Sequence, residues 1–160
     1  MTSNRIFGPI FFEDNETGQA QTVNTERYVS MLNTVFNSET IAEVADHWFQ
    51  QDGAPCHTSK LSMACLEEKF PSRLISAKSE FPWPACSPDL NPLDYFLWGH
   101  VKSKVFESDP QNTEELKEAV MEAIASVPVD MLQRTVDNFV RRLDLCYTAK
   151  GAHFESKMHF

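Results

Sequence analysis

The sequence predicts an α/β domain. Two short runs rich in aromatic and β-branched residues, 6–12 and 47–52, are each closed by turn residues and read as strands. Longer segments carry apolar residues at helical spacing behind Asn or Asp caps. The 160 residues amount to one ordinary domain or part of one, and 42% hydrophobic content with twelve Phe and three Trp gives it a core to bury.

Taken in order, the run Ile6 to Phe12 meets the turn cluster Glu13-Asp14-Asn15-Glu16-Thr17-Gly18, which predicts a buried strand followed by a polar reversal. Asn24 then caps a helix whose face is Tyr28, Met31, Leu32 and Val35, and residues 38–46 form a second, short one. His47-Trp-Phe-Gln-Gln-Asp52 is bulky and bounded by Gly53 and Pro55, so it reads as a strand ending at Asp52. Thr58 is positioned to cap a helix through Lys69, and Leu74-Ile75 forms another short strand.

Residues 79–92 hold Pro82, Pro84, Pro88 and Pro92, which excludes regular helix and predicts a Pro-rich loop. Asn91 as cap and Pro92 at the first helical position open a helix with Leu93, Leu97, Val101 and Val105 on one face. Asn112 with Glu115 forms a capping pattern before Leu116, Val120, Ile124 and Val127, and Asp130 with Gln133 repeats it. The last helix is amphipathic through Leu132, Val136, Phe139, Val140, Leu143 and Tyr147, and Arg141-Arg142 reads as its solvated face.

Charge excludes one class of function. Fourteen basic against 23 acidic residues give −9, the wrong sign for a module that grips DNA by neutralising phosphates on its own. Four cysteines without regular spacing predict neither a disulfide framework nor a zinc knuckle. The apolar start is broken by Pro9 and runs into Glu13-Asp14, unlike a signal peptide, and no stretch reaches membrane-helix length.

Asp52, at the end of a strand, and Asp94, in the first turn of a helix, are the candidate functional acids. Hard divalent ions take oxygen ligands, and clustered acids can hold them for phosphodiester exchange. Position alone also fits a structural role, since the helix dipole favours an acid at Asp94 and Asp before Gly is a common turn residue. His57, five residues after Asp52, reads as a loop histidine ordering its own turn.

The segments Trp48-Phe-Gln-Gln-Asp-Gly-Ala-Pro-Cys-His57 and Trp83-Pro-Ala-Cys-Ser-Pro-Asp-Leu-Asn-Pro-Leu-Asp-Tyr-Phe-Leu-Trp-Gly99 resemble the second and third carboxylate motifs of mariner-like DDE/D transposases. The likeness starts near Ile6, in Gly8-Pro-Ile-Phe-Phe-Glu-Asp14, and runs to the last helices. It implies a ribonuclease-H-like fold, bound Mg²⁺ or Mn²⁺ with no small-molecule cofactor, transposon-end DNA as partner, multimeric action in the nucleus and cut-and-paste transposition. Position by position, it makes Asp52 the second metal ligand and Asp94 the third. Asp89 becomes a motif acid that is not a ligand, with His57 and Asn91 in support. The longer spacing between the two acids resembles insect elements with an extended loop.

The resemblance also implies an N-terminally truncated domain. The family's first metal-binding Asp and its first two strands fall ahead of position 6, and no helix-turn-helix domain is expected within residues 1–160. Asp14 lies in a turn and is a poor substitute, so weak metal binding and negligible activity in isolation are expected, with reduced stability or completion by another chain. The alternative is a non-catalytic interaction or dimerisation protein that uses the apolar stripes of its C-terminal helices around Val120, Ile124, Val136 and Phe139.

Overall fold

A computed structural model describes residues 1–14, 16–152 and 154, which form two compact units. The first comprises Ile10–Cys86 and the second Met1–Pro9 with Ser87–Phe160.

In the unit Ile10–Cys86, helix α1 (Thr25–Val35) starts where Asn24 accepts a hydrogen bond from the Arg27 amide at 2.9 Å. Helix α2 (Ser38–Glu43) begins in the same way at Asn37. Strand β1 (Phe49–Gln50) then leads through helix α3 (Lys60–Lys69) to strand β2 (Leu74–Ile75), which lies parallel beside β1 with Phe49 opposite Leu74 and Gln50 opposite Ile75. Parallel strands need such a crossover, and α3 supplies it. Its cap is Ser59, whose hydroxyl accepts from the Ser62 amide; the expected cap, Thr58, is drawn instead to the Ala54 carbonyl. Tyr28 and Leu32 of α1, Met63 and Leu66 of α3, with Val44, Phe70, Leu74 and Trp83, are the buried apolar side chains described in this unit. Phe36, Phe49 and Phe70 pack ring against ring, with centroids 5.1–5.6 Å apart.

The strand expected at residues 6–12 does not form. Among the described residues the run joins no ladder, and the nearest strand-like pairing is an isolated antiparallel bridge just beyond it, from Glu13 to Ala20 across the turn. Aromatic and β-branched composition favours a pleated conformation, but a strand exists only where a neighbour accepts and donates its backbone bonds. Asp14 is indeed a turn residue. Its Oδ1 accepts from the Glu16 and Thr17 amides and the Thr17 hydroxyl, and the bonds from Thr17 hold its carboxyl below the usual range.

The second unit is helical. A 3₁₀ turn (Pro88–Leu90) and one turn of π-helix (Leu93–Leu97) lead into α4 (Trp98–Ser108), followed by α5 (Thr113–Ala125) and α6 (Val129–Thr148). Leu97 of the π-turn and Val101 of α4 meet Ala123 of α5, Val127 and Leu132, with Ile6, Leu93, Val105, Val120 and Ile124 around them. Asn112 caps α5 through the Glu115 amide at 3.0 Å, as expected. Asp130 does not repeat that device, because α6 begins two residues earlier than such a cap would place it, at Val129 behind Pro128, and puts Asp130 inside the first turn, where it pairs with exposed Arg134.

Helix α6 also turns a different face inward from the one its apolar stripe suggests. Leu132, Thr135 and Arg142 are buried, whereas Val140, Leu143 and Tyr147 are exposed. At 3.6 residues per turn the buried face is offset by about a quarter turn from the exposed apolar one. Arg142 is therefore no solvated residue; it is only 5% exposed. No helix among the described residues is long and apolar enough to cross a membrane.

Candidate functional site

Asp52 lies two residues past the end of β1, after Gln51, and is fixed by the turn it starts. Its Oδ1 accepts from the Ala54 amide at 3.1 Å and stands 2.6 Å from His57 Nδ1. An ionised carboxylate has no proton to give, so the imidazole Nδ1–H is the donor of that bond. The His57 amide in turn bonds to the Ala54 carbonyl at 3.0 Å, closing the turn, and the His57 ring packs on Tyr28 with centroids 4.5 Å apart. The Asp52 side chain remains half exposed, and its Oδ2 has no hydrogen-bond partner among the described residues.

Beneath this turn lies a residue that sequence reading passed over. Gln51 is buried, and its carbonyl oxygen accepts from the Tyr28 hydroxyl at 2.8 Å. Its amide donates to the Ser76 hydroxyl at 2.9 Å and to the His57 carbonyl at 3.0 Å. One side chain thus ties α1, the end of β2 and the Asp52 turn together immediately before Asp52. Burial drives the Tyr28 hydroxyl well above its ordinary pKa, with Cys56 and Asp52 adding to the effect, so it stays a neutral donor to Gln51. The available sequence signal was the Gln50-Gln51 pair inside an otherwise apolar run, since a polar side chain on a half-buried strand must find partners.

Asp94 sits in the second unit, on the π-turn. Asn91 does what its position predicted: its Oδ1 accepts from the Leu93 amide at 3.2 Å, and its backbone carbonyl accepts from the Asp94 and Tyr95 amides. Its amide also donates to Asp94 Oδ2 at 2.7 Å, so the cap residue aims the carboxylate as well. Asp94 is exposed, and its Oδ1 has no partner among the described residues. The π-turn is closed by a bond from the Trp98 amide to the Leu93 carbonyl, a local widening of the helix that recurs at functional sites.

Asp89 lies in the 3₁₀ turn, half-buried, and its backbone carbonyl accepts from Arg142 at 2.7 Å. The Arg142 guanidinium also lies over the Tyr95 ring, 4.1 Å from its centroid, and the Tyr95 hydroxyl donates to the Thr135 carbonyl at 2.8 Å. Burial pushes Tyr95 up to about 12, against the opposing pull of Arg142. Of the sequence-derived residues, then, Asp52 and His57 are in contact in one unit, and Asn91 and Asp94 in the other, with Asp89 two residues ahead of Asn91.

Each acid offers one unpartnered oxygen while its other oxygen is anchored, and both acids lie open to solvent. Carboxylate oxygens of this kind are the donors that hard divalent ions take. Among the described residues, no group of three or more His, Cys, Asp or Glu is gathered into a metal cluster, and the four cysteines are free.

No protein-family model matches the chain. It is 32% identical over 103 residues to the transposable element Tcb2 transposase of Caenorhabditis briggsae, covering 64% of this chain and 35% of that protein. The Tc1 transposase of Caenorhabditis elegans is 26% identical over the same shares. Among solved structures, the Mos1 transposase catalytic domain with Raltegravir and Mg superposes at a TM-score of 0.71 with 26% identity, covering 84% of this chain and 67% of that one. The Mos1 mariner paired-end complex with Mn gives 0.72 and 26%, covering 84% and 39%. The fold is accordingly the ribonuclease-H-like α/β class. The chain spans about a third of the length of the curated relatives it matches.

Proposed function

We propose that the chain is part of the catalytic domain of a mariner-like, cut-and-paste DNA transposase, and that Asp52 and Asp94 are metal-binding carboxylates of it. The observation that carries the reading is the shared local design of the two acids, each anchored through one oxygen by its own motif and presenting the other. In the bound state, Mg²⁺ or Mn²⁺ would activate the attacking oxygen and offset charge on the leaving one during phosphodiester exchange.

What this chain's residues contribute is orientation. His57 and the Ala54 amide fix the rotation of the Asp52 carboxylate, and Gln51 holds the turn beneath it. Asn91 fixes Asp94 and caps the helix that carries it. Loss of either anchor frees a carboxylate torsion that must be re-ordered each time an ion binds, and displacement of such supporting groups typically weakens metal binding by about 10- to 100-fold.

The substrate under this reading is transposon-end DNA, as in the Mos1 paired-end complex with the left transposon end, and the acting form is a multimer in the nucleus. A net charge of −9 means that these residues do not hold the duplex by phosphate neutralisation alone, so metal ions and other parts of the assembly supply the positive charge.

Mn²⁺ titration followed by electron paramagnetic resonance tests the assignment. Asp52→Asn and Asp94→Asn should each lower the affinity of the folded chain by about tenfold or more. Affinity equal to wild type in both variants would contradict it. Robust Mn²⁺-dependent nicking by the isolated chain, abolished in Asp52→Asn, would confirm the ligand and overturn the expectation of inactivity.

A further inference from the structure

We propose that Arg142 is a positioning residue for Asp94, acting from α6 on both sides of the carboxylate. Taking Asp94 as a metal ligand rests on the function proposed above; the positioning itself rests on contacts within one unit. Upstream, the Arg142 guanidinium donates to the Asp89 carbonyl at 2.7 Å, two residues before Asn91, the side chain that holds Asp94 Oδ2. Downstream, the same guanidinium covers the ring of Tyr95, the residue next to Asp94, at 4.1 Å. The far end of that ring is held by Thr135, two turns earlier on the same face of α6, through the bond from the Tyr95 hydroxyl to the Thr135 carbonyl.

A buried charge is retained only where its donors and its face are used, and Arg142 is 5% exposed. The planar guanidinium suits this place because it combines a directed N–H with a flat surface for the ring, a pairing that Lys cannot reproduce. The turn from Asp89 to Tyr95 is otherwise short and Pro-interrupted, with few backbone bonds of its own: Leu90 to Ser87, Asn91 to Pro88, and Asp94 and Tyr95 to Asn91. Two clamps from a 20-residue helix give the motif a rigid support that its local bonds do not. Arg142 therefore sets where the Asp94 carboxylate stands without touching any reacting atom.

Hydrogen exchange read residue by residue on the 160-residue chain tests this, with Mn²⁺ affinity measured on the same samples. Arg142→Met should speed exchange of the Asp94 and Tyr95 amides by about tenfold or more while amides inside α5 keep their protection. It should also weaken Mn²⁺ binding by about tenfold. Arg142→Lys should restore part of both, since it returns the charge and a donor but not the stacking plane. Unchanged exchange at Asp94 and Tyr95 would overturn the proposal, as would loss of protection throughout α5 together with unaltered Mn²⁺ affinity in the folded fraction, which marks a merely structural residue. Wild-type protein that binds no Mn²⁺ would instead contradict the metal assignment, and local loosening around Asp94 alone would then still support Arg142 as its positioning residue.

Discussion

His57 Nδ1 lies 2.6 Å from Asp52 Oδ1, and the same ring packs against Tyr28, which is itself bonded to the buried Gln51. The carboxylate is thus aimed by a side chain whose own freedom is already restricted by the core.

Removing that aim should cost metal affinity more than stability. His57→Ala is expected to lower Mn²⁺ affinity by about tenfold. The accompanying loss of stability should stay near 1 kcal/mol, because the bond is partly exposed to solvent. Paired Mn²⁺ titration and urea unfolding separate the two effects.

Gln51 should behave in the opposite way. Gln51→Ala strips partners from the Tyr28 hydroxyl, the Ser76 hydroxyl and the His57 carbonyl, two of these side chains being fully or nearly buried. A loss of about 2–4 kcal/mol in urea unfolding is expected, against about 0.5 kcal/mol or less for exposed Gln133→Ala.

Asn91 has two separable tasks. Asn91→Ser keeps an oxygen to accept from the Leu93 amide but removes the donor to Asp94 Oδ2. Stability should stay within about 0.5 kcal/mol of wild type, while Mn²⁺ affinity falls. Asn91→Ala loses both tasks and should also cost about 1 kcal/mol of stability, as thermal unfolding would show.

Alkaline pH should act through Tyr95. Its folded pKa of about 12 lies above the unfolded value near 10, so the folded state holds the phenol proton more tightly. The resulting stability is fully present below about pH 10 and is lost as pH rises from there to about 12. Tyr95→Phe should flatten that part of the pH dependence, measured as the difference in urea midpoint from wild type across this window.

What the sequence made legible was local. Asn24, Asn91 and Asn112 cap helices as their positions predicted, because a cap depends on residues two or three places along. The bonds that hold the two acids, His57 to Asp52 and Asn91 to Asp94, also lie within five positions. Distant partners were not legible. Gln51 is organised by residues 23 and 25 positions away, and Arg142 by a carbonyl 53 positions away. A double arginine on a long helix carries no mark of such a partner, so Arg142 read as solvated. The apolar run at residues 6–12 failed for the same reason, since strand formation is decided by a neighbour and not by the run itself.

The most direct test of the central claim, that Asp52 and Asp94 are each a metal ligand, is iron-mediated backbone cleavage. Fe²⁺ replaces the native ion and, with ascorbate and peroxide, generates radicals that cut the chain beside its ligands. Scission near position 52 that is lost in Asp52→Asn, and scission near position 94 that is lost in Asp94→Asn, is the predicted result. No cleavage near either position, or cuts that persist when the acid beside them is replaced, would contradict it.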